Sequence, residues 1–277
     1  MDKMTLLIFT CEKFSDLWDT HIHLLEKNWP DRGVETVLVT DEYHETHYPN
    51  VKLLAAGKNA SFSARVRCAC NEIQTPFVLL TLDDYFLIEP VSTERMNQLL
   101  YAMDEFGMDY LRLYDRPKRA TGECLSESLS LYKIHNEERY SVNLYSGIWR
   151  TSFLLQTAIG DKSPWSFEAS LSRAAVALKA FCAMDAQKDF IILDVVRKGK
   201  ILNKANRYLK KHNLHHGDRP VQSIWYENML AIRTFGVRHF PRPIVNLVRQ
   251  AMMKLGRHYY SQEQCEDFKP EETGQDA

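Results

Sequence analysis

The chain has 277 residues, of which 45% are hydrophobic and 26% charged, and its net charge at neutral pH is −1. This composition is ordinary for a globular protein, and the length suits one large domain or one domain with an appendage. No window approaches the roughly 18 consecutive apolar residues that a membrane-spanning helix needs, so we expect no such helix.

The N-terminal segment and the cysteines indicate the cytoplasm. The apolar run that follows "MDKM" is short and has no small-residue cleavage site, so we expect a first strand rather than a signal peptide. The six cysteines form no CxxC pair and no framework spacing. We therefore expect reduced thiols in a cytoplasmic protein.

Charge is unevenly distributed along the chain. Residues 197–257 contain 14 Lys and Arg against two acids, a net charge of +12, whereas residues 263–277 carry −5. Within the basic block, residues 243–257 predict an amphipathic helix with its basic side chains opposite its apolar ones. The block indicates either a solvated face or an anionic partner, such as a phosphate-bearing substrate, a membrane surface or nucleic acid. Nucleic acid is the least favoured, because no recognition motif accompanies the charge.

The first 107 residues alternate between strand and helix patterns. Short apolar runs predict buried parallel strands, and helical spacing of apolar residues after capping Ser or Thr predicts the helices between them. This order predicts a mostly parallel, doubly wound α/β sheet. The predicted strands are 5–10, 34–40, 51–56 and 77–82, and the helices start at Ser15, at Ser61 or Ser63, and at Ser92 or Thr93.

The pattern changes after residue 107. Alternation with a period of two predicts antiparallel strands, and the segment 115–128 has the polar composition of a loop. Ser163-Pro164 begins a predicted helix that runs to residue 181, and one more strand is predicted at 190–196. The predicted antiparallel strands are 109–114, 129–134 and 139–149.

Two adjacent aspartates, Asp83 and Asp84, close the fourth predicted strand. Burying an ionised carboxylate is costly unless it is paired or bound to a metal. In doubly wound sheets, ligands bind beyond the carboxyl ends of the strands. The pair therefore either lies in water as turn residues or holds something positive.

Four segments, together with this acidic pair, resemble one family in their order and spacing. The segments are "LLIFTCEKF", "VLVTDE", "SFSARVRCACNEIQTPFVLLTLDDYFLIEP" and "LYSGIWRTSFL…SPWSFE". They resemble small bacterial sugar-nucleotide-dependent transferases with the glycosyltransferase-A fold, over roughly residues 4–200. The expected domains are a catalytic domain over 1–203, with donor and acceptor halves 1–107 and 108–203, a basic helical extension over 204–262 and an acidic tail over 263–277.

The resemblance implies a divalent cation, Mn²⁺ or Mg²⁺, that bridges the diphosphate of a sugar donor. In that family an Asp-X-Asp motif at the end of the fourth strand provides the carboxylates. Here the motif reads Leu82-Asp83-Asp84, so its first acid is absent and metal dependence stays open. We assign Asp84 as the metal ligand and Asp83 as a helper in donor binding. Hard cations of this kind prefer oxygen ligands and act as Lewis acids.

The resemblance implies further donor-binding residues. Thr10 and Cys11 would line the nucleotide pocket, and Asp41 would hydrogen-bond the base or the ribose. Arg65 would meet a phosphate or the nucleotide. The alternatives from the residues alone are a turn or cap role for Asp41 and a surface salt bridge for Arg65.

On the acceptor side, Glu168 matches the position of the general base in inverting members of the family. A carboxylate there can take the proton of the attacking hydroxyl. Alternatively, Glu168 is an acid near the first turn of a helix, where the helix dipole favours negative charge. Trp149 and Trp165 could stack on sugar rings, although buried aromatic residues usually form core.

The resemblance therefore implies an enzyme of hexosyl- or N-acetylhexosaminyl-transferase type in surface-polysaccharide biosynthesis. It would move a sugar from a nucleotide-diphosphate donor to a saccharide or lipid-linked saccharide, and its basic C-terminal helix would hold it at the inner membrane. One alternative is a sugar-phosphate nucleotidyltransferase, which the glycine-free loop "TCEKF" after the first strand disfavours. Another is a non-catalytic nucleotide-sugar-binding subunit.

Overall fold

The chain divides into two compact units, one formed by residues up to Leu193 and one that begins at Asp194. The domain roles expected from the sequence stay predictions. The predicted helix at 243–257 and the acidic tail at 263–277 lie outside the described residues. The structure, a computed structural model, describes residues 3–45, 47–113, 122–138, 140–215 and 217–239.

The first unit is built on a sheet whose first strands are fully buried and rich in aliphatic residues, which is typical of strands covered on both faces. The first eleven strands of the chain are β1 (Met4–Phe9), β2 (Thr36–Thr40), β3 (Val51–Ala55), β4 (Phe77–Leu82), β5 (Tyr85–Leu87), β6 (Tyr110–Arg112), β7 (Cys124–Ser126), β8 (Leu131–Lys133), β9 (Gly147–Arg150), β10 (Cys182–Asp185) and β11 (Ile192–Asp194).

Nine of these strands form one sheet in the order β3-β2-β1-β4-β9-β6-β10-β8-β7, and β5 pairs with β11 in a separate small sheet. β1 is parallel to both β2 and β4, β9 runs antiparallel between β4 and β6, and β8 runs antiparallel to β10. The structure thus contains a parallel N-terminal half, an acidic pair after the fourth strand and a mixed C-terminal half. The predicted α/β class, a mostly parallel sheet with a mixed C-terminal half, is confirmed.

In the described part of the first unit, five helices cover the two faces of the sheet. Along β1, Leu6 and Ile8 pack into one hydrophobic cluster with the first and third helices, and Leu7 and Phe9 pack into another with the second, fourth and fifth. The alternation follows from the two-residue period of a strand. The helices are α1 (Trp18–Asn28), α2 (Phe62–Glu72), α3 (Thr93–Glu105), α4 (Thr151–Thr157) and α5 (Pro164–Ala177).

Three of these helices begin at predicted capping serines. Ser61, Ser92 and Ser163 each accept a hydrogen bond from the backbone N–H three residues further on. The predicted cap at Ser15 is wrong, because that serine lies inside a 3-10 helix, Glu12–Leu17, and α1 follows it without a side-chain cap.

The second half of the sheet departs from the sequence patterns. No pattern predicts β10, a four-residue strand in the sheet. The strand expected at 139–149 is a strand only at its end, as β9, because the residues before it form a loop. The strand expected at 190–196 is divided, since its last residues belong to a hairpin of the second unit.

Within its described residues, the second unit contains that hairpin and two helices. Ala205 and Leu209 are the buried residues of its first helix. In the described part of the chain, no helix has the length and apolar character required to cross a membrane. The elements are β12 (Val196–Arg197), β13 (Lys200–Ile201), α6 (Asn203–Lys211) and α7 (Ile224–His239).

Candidate functional site

A chain of buried hydrogen bonds joins the carboxyl ends of β1 and β4. The Asp83 backbone N–H donates to the Phe9 carbonyl at 3.1 Å. The Thr10 hydroxyl donates to Asp83 Oδ2 at 2.5 Å and accepts from Trp18 Nε1 at 2.7 Å. Because all three of these side chains are buried, the bonds are shielded from bulk water and hold the Asp83 carboxylate in one orientation.

His21 supports the same strand end from α1. Its Nδ1 lies 3.1 Å from the Asp83 carbonyl oxygen, so Nδ1 carries the proton and donates. Complete burial lowers the pKa of His21 to about 4, although the bond to Asp83 works in the opposite direction. The imidazole is therefore neutral at physiological pH and acts as a positioning group for the turn after β4.

Asp41 follows β2 at the same edge of the sheet. Its Oδ1 accepts hydrogen bonds from the Glu12 backbone N–H at 2.8 Å and from the Thr40 hydroxyl at 3.2 Å. Partial burial works to raise the pKa of Asp41, but these bonds and the charge of Arg65 outweigh it and hold the pKa below its usual value. Asp41 is thus an ionised acceptor whose carboxylate bonds the backbone at the end of β1.

Burial and the charge of Asp83 raise the pKa of the Cys11 thiol, even though Arg65 opposes the shift. Cys11 is partly exposed at this edge, directly after Thr10. A neutral thiol at this position offers a small, weakly polar surface rather than a nucleophile.

Arg65, on α2, brings a positive charge to the strand ends. Its Nη1 donates to the Thr10 carbonyl, and its guanidinium carbon lies 5.7 Å from the centre of the Phe62 ring. The residue is only 7% exposed, which excludes the surface salt bridge considered from sequence. A charge held on a backbone oxygen at the strand ends can still attract an anionic ligand.

Asp84 occupies the turn between β4 and β5 and is half-buried. Asp83 and Asp84 are adjacent in that turn, so two carboxylates belong to one short stretch of backbone. Among the residues that the structure describes, no group of three or more His, Cys, Asp or Glu side chains could hold a metal ion. A cation at this turn would therefore need most of its ligands from water or from a bound anion.

Glu168 lies on α5 and contacts a loop that reaches the same turn. Its Oε1 accepts a hydrogen bond from the Leu144 backbone N–H at 3.1 Å. The next residue, Tyr145, stacks on Tyr85 with ring centroids 5.4 Å apart, and Tyr85 directly follows Asp84. Glu168 is thus linked to Asp84 indirectly, through Leu144, Tyr145 and Tyr85.

Burial raises the pKa of Glu168, and the bond from Leu144 opposes the rise only in part. A carboxylate in this state is more basic than an exposed one while it remains ionised above its pKa. This is the property that a general base near neutral pH requires.

The two tryptophans expected on the acceptor side lie in different environments. Trp165 is 65% exposed and precedes Glu168 by three residues, so both side chains lie on one side of α5. Trp149 is fully buried in β9, with its ring 4.6 Å from that of Tyr110 and 5.9 Å from that of Phe153. The structure corrects the expectation for Trp149, since a central strand covered on both faces leaves no ring surface for a sugar.

Trp18 and His21 belong to this site although neither is predicted from the sequence. Both are buried on α1 and reach the Thr10–Asp83 pair with their polar ring atoms. Their spacing of three residues places them on one face of the helix, and this spacing was the available signal. The spacing does not show which strand end this helix face contacts, because that depends on tertiary packing.

No family model and no curated protein matches the chain. Among solved structures, S. aureus TarS 1–349 in complex with UDP-GlcNAc matches 72% of this chain and 60% of its own, with 16% identity and a TM-score of 0.49. The mannosyltransferase PcManGT from Pyrobaculum calidifontis, in complex with GDP-Man and Mn²⁺, matches 92% and 81%, with 12% identity and a TM-score of 0.48. The chain thus spans 60% of the length of TarS 1–349. These likenesses concern the fold alone.

Proposed function

We propose that the chain is a glycosyltransferase that moves a sugar from a nucleotide-diphosphate donor to an acceptor hydroxyl. The observation that carries this proposal is the Thr10–Asp83 hydrogen bond, which ties the ends of β1 and β4 together and orients a carboxylate there. Glu168, a second carboxylate, has a raised pKa and accepts a hydrogen bond from Leu144, whose neighbour Tyr145 stacks on Tyr85 next to Asp84. In this proposal the acid pair serves the donor side and Glu168 is the base.

Three further residues belong to the donor side in this proposal. Asp41 accepts hydrogen bonds from the base or ribose, and Cys11 lines the pocket beside it. The guanidinium of Arg65 is held by the Thr10 carbonyl. Arg65 therefore attracts the donor diphosphate through its electric field and not through a direct contact. The depressed pKa of Asp41 keeps its carboxylate ionised at neutral pH, as an acceptor must be.

Asp84 and Asp83 fit a divalent cation such as Mn²⁺ or Mg²⁺. Both donors are hard carboxylate oxygens, and two acids at one turn leave coordination positions for water and phosphate oxygen, as these ions prefer. Asp84 would bind the ion, and Asp83, held by Thr10, would assist. When bound, such a cation supplies Lewis-acid stabilisation of negative charge on the diphosphate.

Glu168 is the proposed general base. The acceptor hydroxyl gives its proton to Glu168 while its oxygen forms a bond to the anomeric carbon of the donor. The bond between that carbon and the phosphate oxygen breaks, and the nucleoside diphosphate leaves with the electron pair. Attack from the face opposite the leaving group inverts the anomeric centre. Leu144 holds the carboxylate in position through its N–H.

The acceptor in this proposal is a saccharide or a lipid-linked saccharide of a bacterial surface polysaccharide, and the transferred group is a hexose or N-acetylhexosamine. Trp165 supports a saccharide acceptor, because its ring is exposed on the same side of α5 as Glu168 and can stack on a sugar. The basic block of the C-terminal region supports an acceptor at the inner membrane face.

The test is release of nucleoside diphosphate from a panel of nucleotide sugars, with and without Mn²⁺ and with saccharide acceptors. We expect one donor to be turned over, with large losses in Asp84→Asn and Glu168→Gln and none in Glu105→Gln, a matched change at an exposed acid of α3. Donor binding with no turnover under any condition would instead favour the non-catalytic nucleotide-sugar-binding subunit. Unchanged turnover in Glu168→Gln would remove the base assignment.

A further inference from the structure

The second unit carries an exposed apolar face on α7. Trp225, Met229 and Ile232 recur at spacings of four and three residues, which places them on one side of the helix. Trp225 is 70% exposed and Ile232 is 64% exposed. Ile224, which is also exposed, widens the same side into what we call the apolar face of α7.

The other side of α7 is attached to the rest of the second unit. Glu227, which projects opposite Trp225, accepts a hydrogen bond from the Asn203 backbone N–H at 2.6 Å, at the start of α6. Lys198 Nζ, in the hairpin, lies 5.5 Å from the centre of the Tyr226 ring. The apolar face is therefore the side of α7 that these contacts leave outward.

The second unit, which carries this face, is strongly basic. Residues 194–239 contain ten Lys and Arg against three acids, a net charge of +7. On α6 the inward side is apolar, and the basic residues of this helix are all exposed. The exposed basic residues of α6 and the hairpin are Lys198, Lys200, Lys204, Arg207, Lys210 and Lys211.

We propose that the second unit docks on the surface of an anionic lipid bilayer. The apolar face of α7 enters the headgroup region, with Trp225 at the interface that this residue type favours, and the lysines of α6 meet lipid phosphates. A nucleic acid or soluble polyanion would use the charge but leave the apolar face in water. A second copy of the chain would place two units of charge +7 against each other, and they would repel.

This inference does not rest on the transferase activity, because its residues lie outside the candidate active site. The primary test is co-sedimentation of the full chain with phosphatidylcholine vesicles that contain or lack phosphatidylglycerol. We expect binding only to the anionic vesicles, weakened at least about tenfold by Trp225→Ser combined with Ile232→Ser. Tyr101→Ser is the matched control, since Tyr101 is 69% exposed on α3 of the first unit and should bind as wild type. The pair Lys204→Glu and Lys211→Glu should also weaken binding.

Tryptophan fluorescence provides a second readout. Trp18, Trp29 and Trp149 are buried, so in a Trp165→Phe background Trp225 is the exposed tryptophan of the chain. We expect its emission to shift to the blue on addition of phosphatidylglycerol vesicles and to stay unshifted with phosphatidylcholine alone. A blue shift that is absent with both vesicle types contradicts the proposal.

Three further outcomes would overturn the docking proposal. The first is vesicle binding that Trp225→Ser with Ile232→Ser leaves unchanged. The second is concentration-dependent self-association without vesicles that the same double change abolishes, which would assign the face to a second copy. The third is binding of soluble heparin that competes fully with vesicles and is insensitive to the double change, which would assign the surface to a soluble polyanion.

Discussion

Thr10→Val tests the hydrogen-bond chain that orients Asp83. Valine resembles threonine in shape but has no hydroxyl, so two buried groups lose a partner: Asp83 Oδ2, now bonded at 2.5 Å, and Trp18 Nε1, now bonded at 2.7 Å. A buried donor left unsatisfied, as Trp18 Nε1 would be, costs about 1–3 kcal/mol, and a lost hydrogen bond to a charged group such as Asp83 costs about 1.5–3 kcal/mol. We therefore expect Thr10→Val to lower the free energy of unfolding by about 2–6 kcal/mol.

The assay is urea unfolding followed by circular dichroism, with Thr10→Ser as the control that keeps the hydroxyl. The double variant Thr10→Val with Trp18→Phe should lose less stability than the sum of the single changes, because the indole donor is then no longer left unpartnered. If Thr10→Val lies within about 1 kcal/mol of wild type, the network does not stabilise the strand ends as described.

Other changes follow from the same contacts. Glu168→Gln should lower turnover by about 10²–10⁴-fold. Burial raises the folded-state pKa of Glu168, so the contribution of this group to stability falls as pH rises through that pKa. Glu168→Gln should therefore not lower Tm at pH 7. Wild-type kcat should decrease as pH is lowered through the same pKa, which lies above the range of an exposed glutamate. The pH profile of Glu168→Gln should not show this decrease. Arg95→Leu should cost about 3–5 kcal/mol in urea unfolding, because it strips the partner from buried Asp185, whereas Arg150→Leu, at a half-exposed pair, should cost about 0–1 kcal/mol.

The parallel half of the fold could be predicted from the sequence because its signals are local. The strands around Leu7, Leu38 and Leu80 are uninterrupted apolar runs, and Ser61 and Ser92 cap helices with their own hydroxyls. The carboxyl ends of parallel strands share one edge, so the aspartates after β4 could be assigned to that edge before any coordinates.

The remaining parts depend on partners far apart in sequence. β10 is too short to show a pattern, and it is a strand because β6 and β8 flank it. The residue type of Trp149 is compatible with stacking on a sugar ring. Its strand, however, lies between β4 and β6 and is covered on both faces. Arg95 pairs with Asp185, which is 90 residues away in sequence, and no local pattern predicts such a pair.

The metal and the donor are the centre of the proposed function. The most direct measurement is a thermal-shift titration of the full chain with nucleoside diphosphates and nucleotide sugars, each with and without Mn²⁺, for wild type and Asp84→Asn. A ligand that binds only the folded chain raises the unfolding midpoint by mass action. We predict that at least one nucleotide raises the midpoint of the wild-type chain only in the presence of Mn²⁺, and that Asp84→Asn abolishes the rise. No shift with any nucleotide, or an equal shift in both proteins, would contradict the assignment of this edge of the sheet to donor diphosphate.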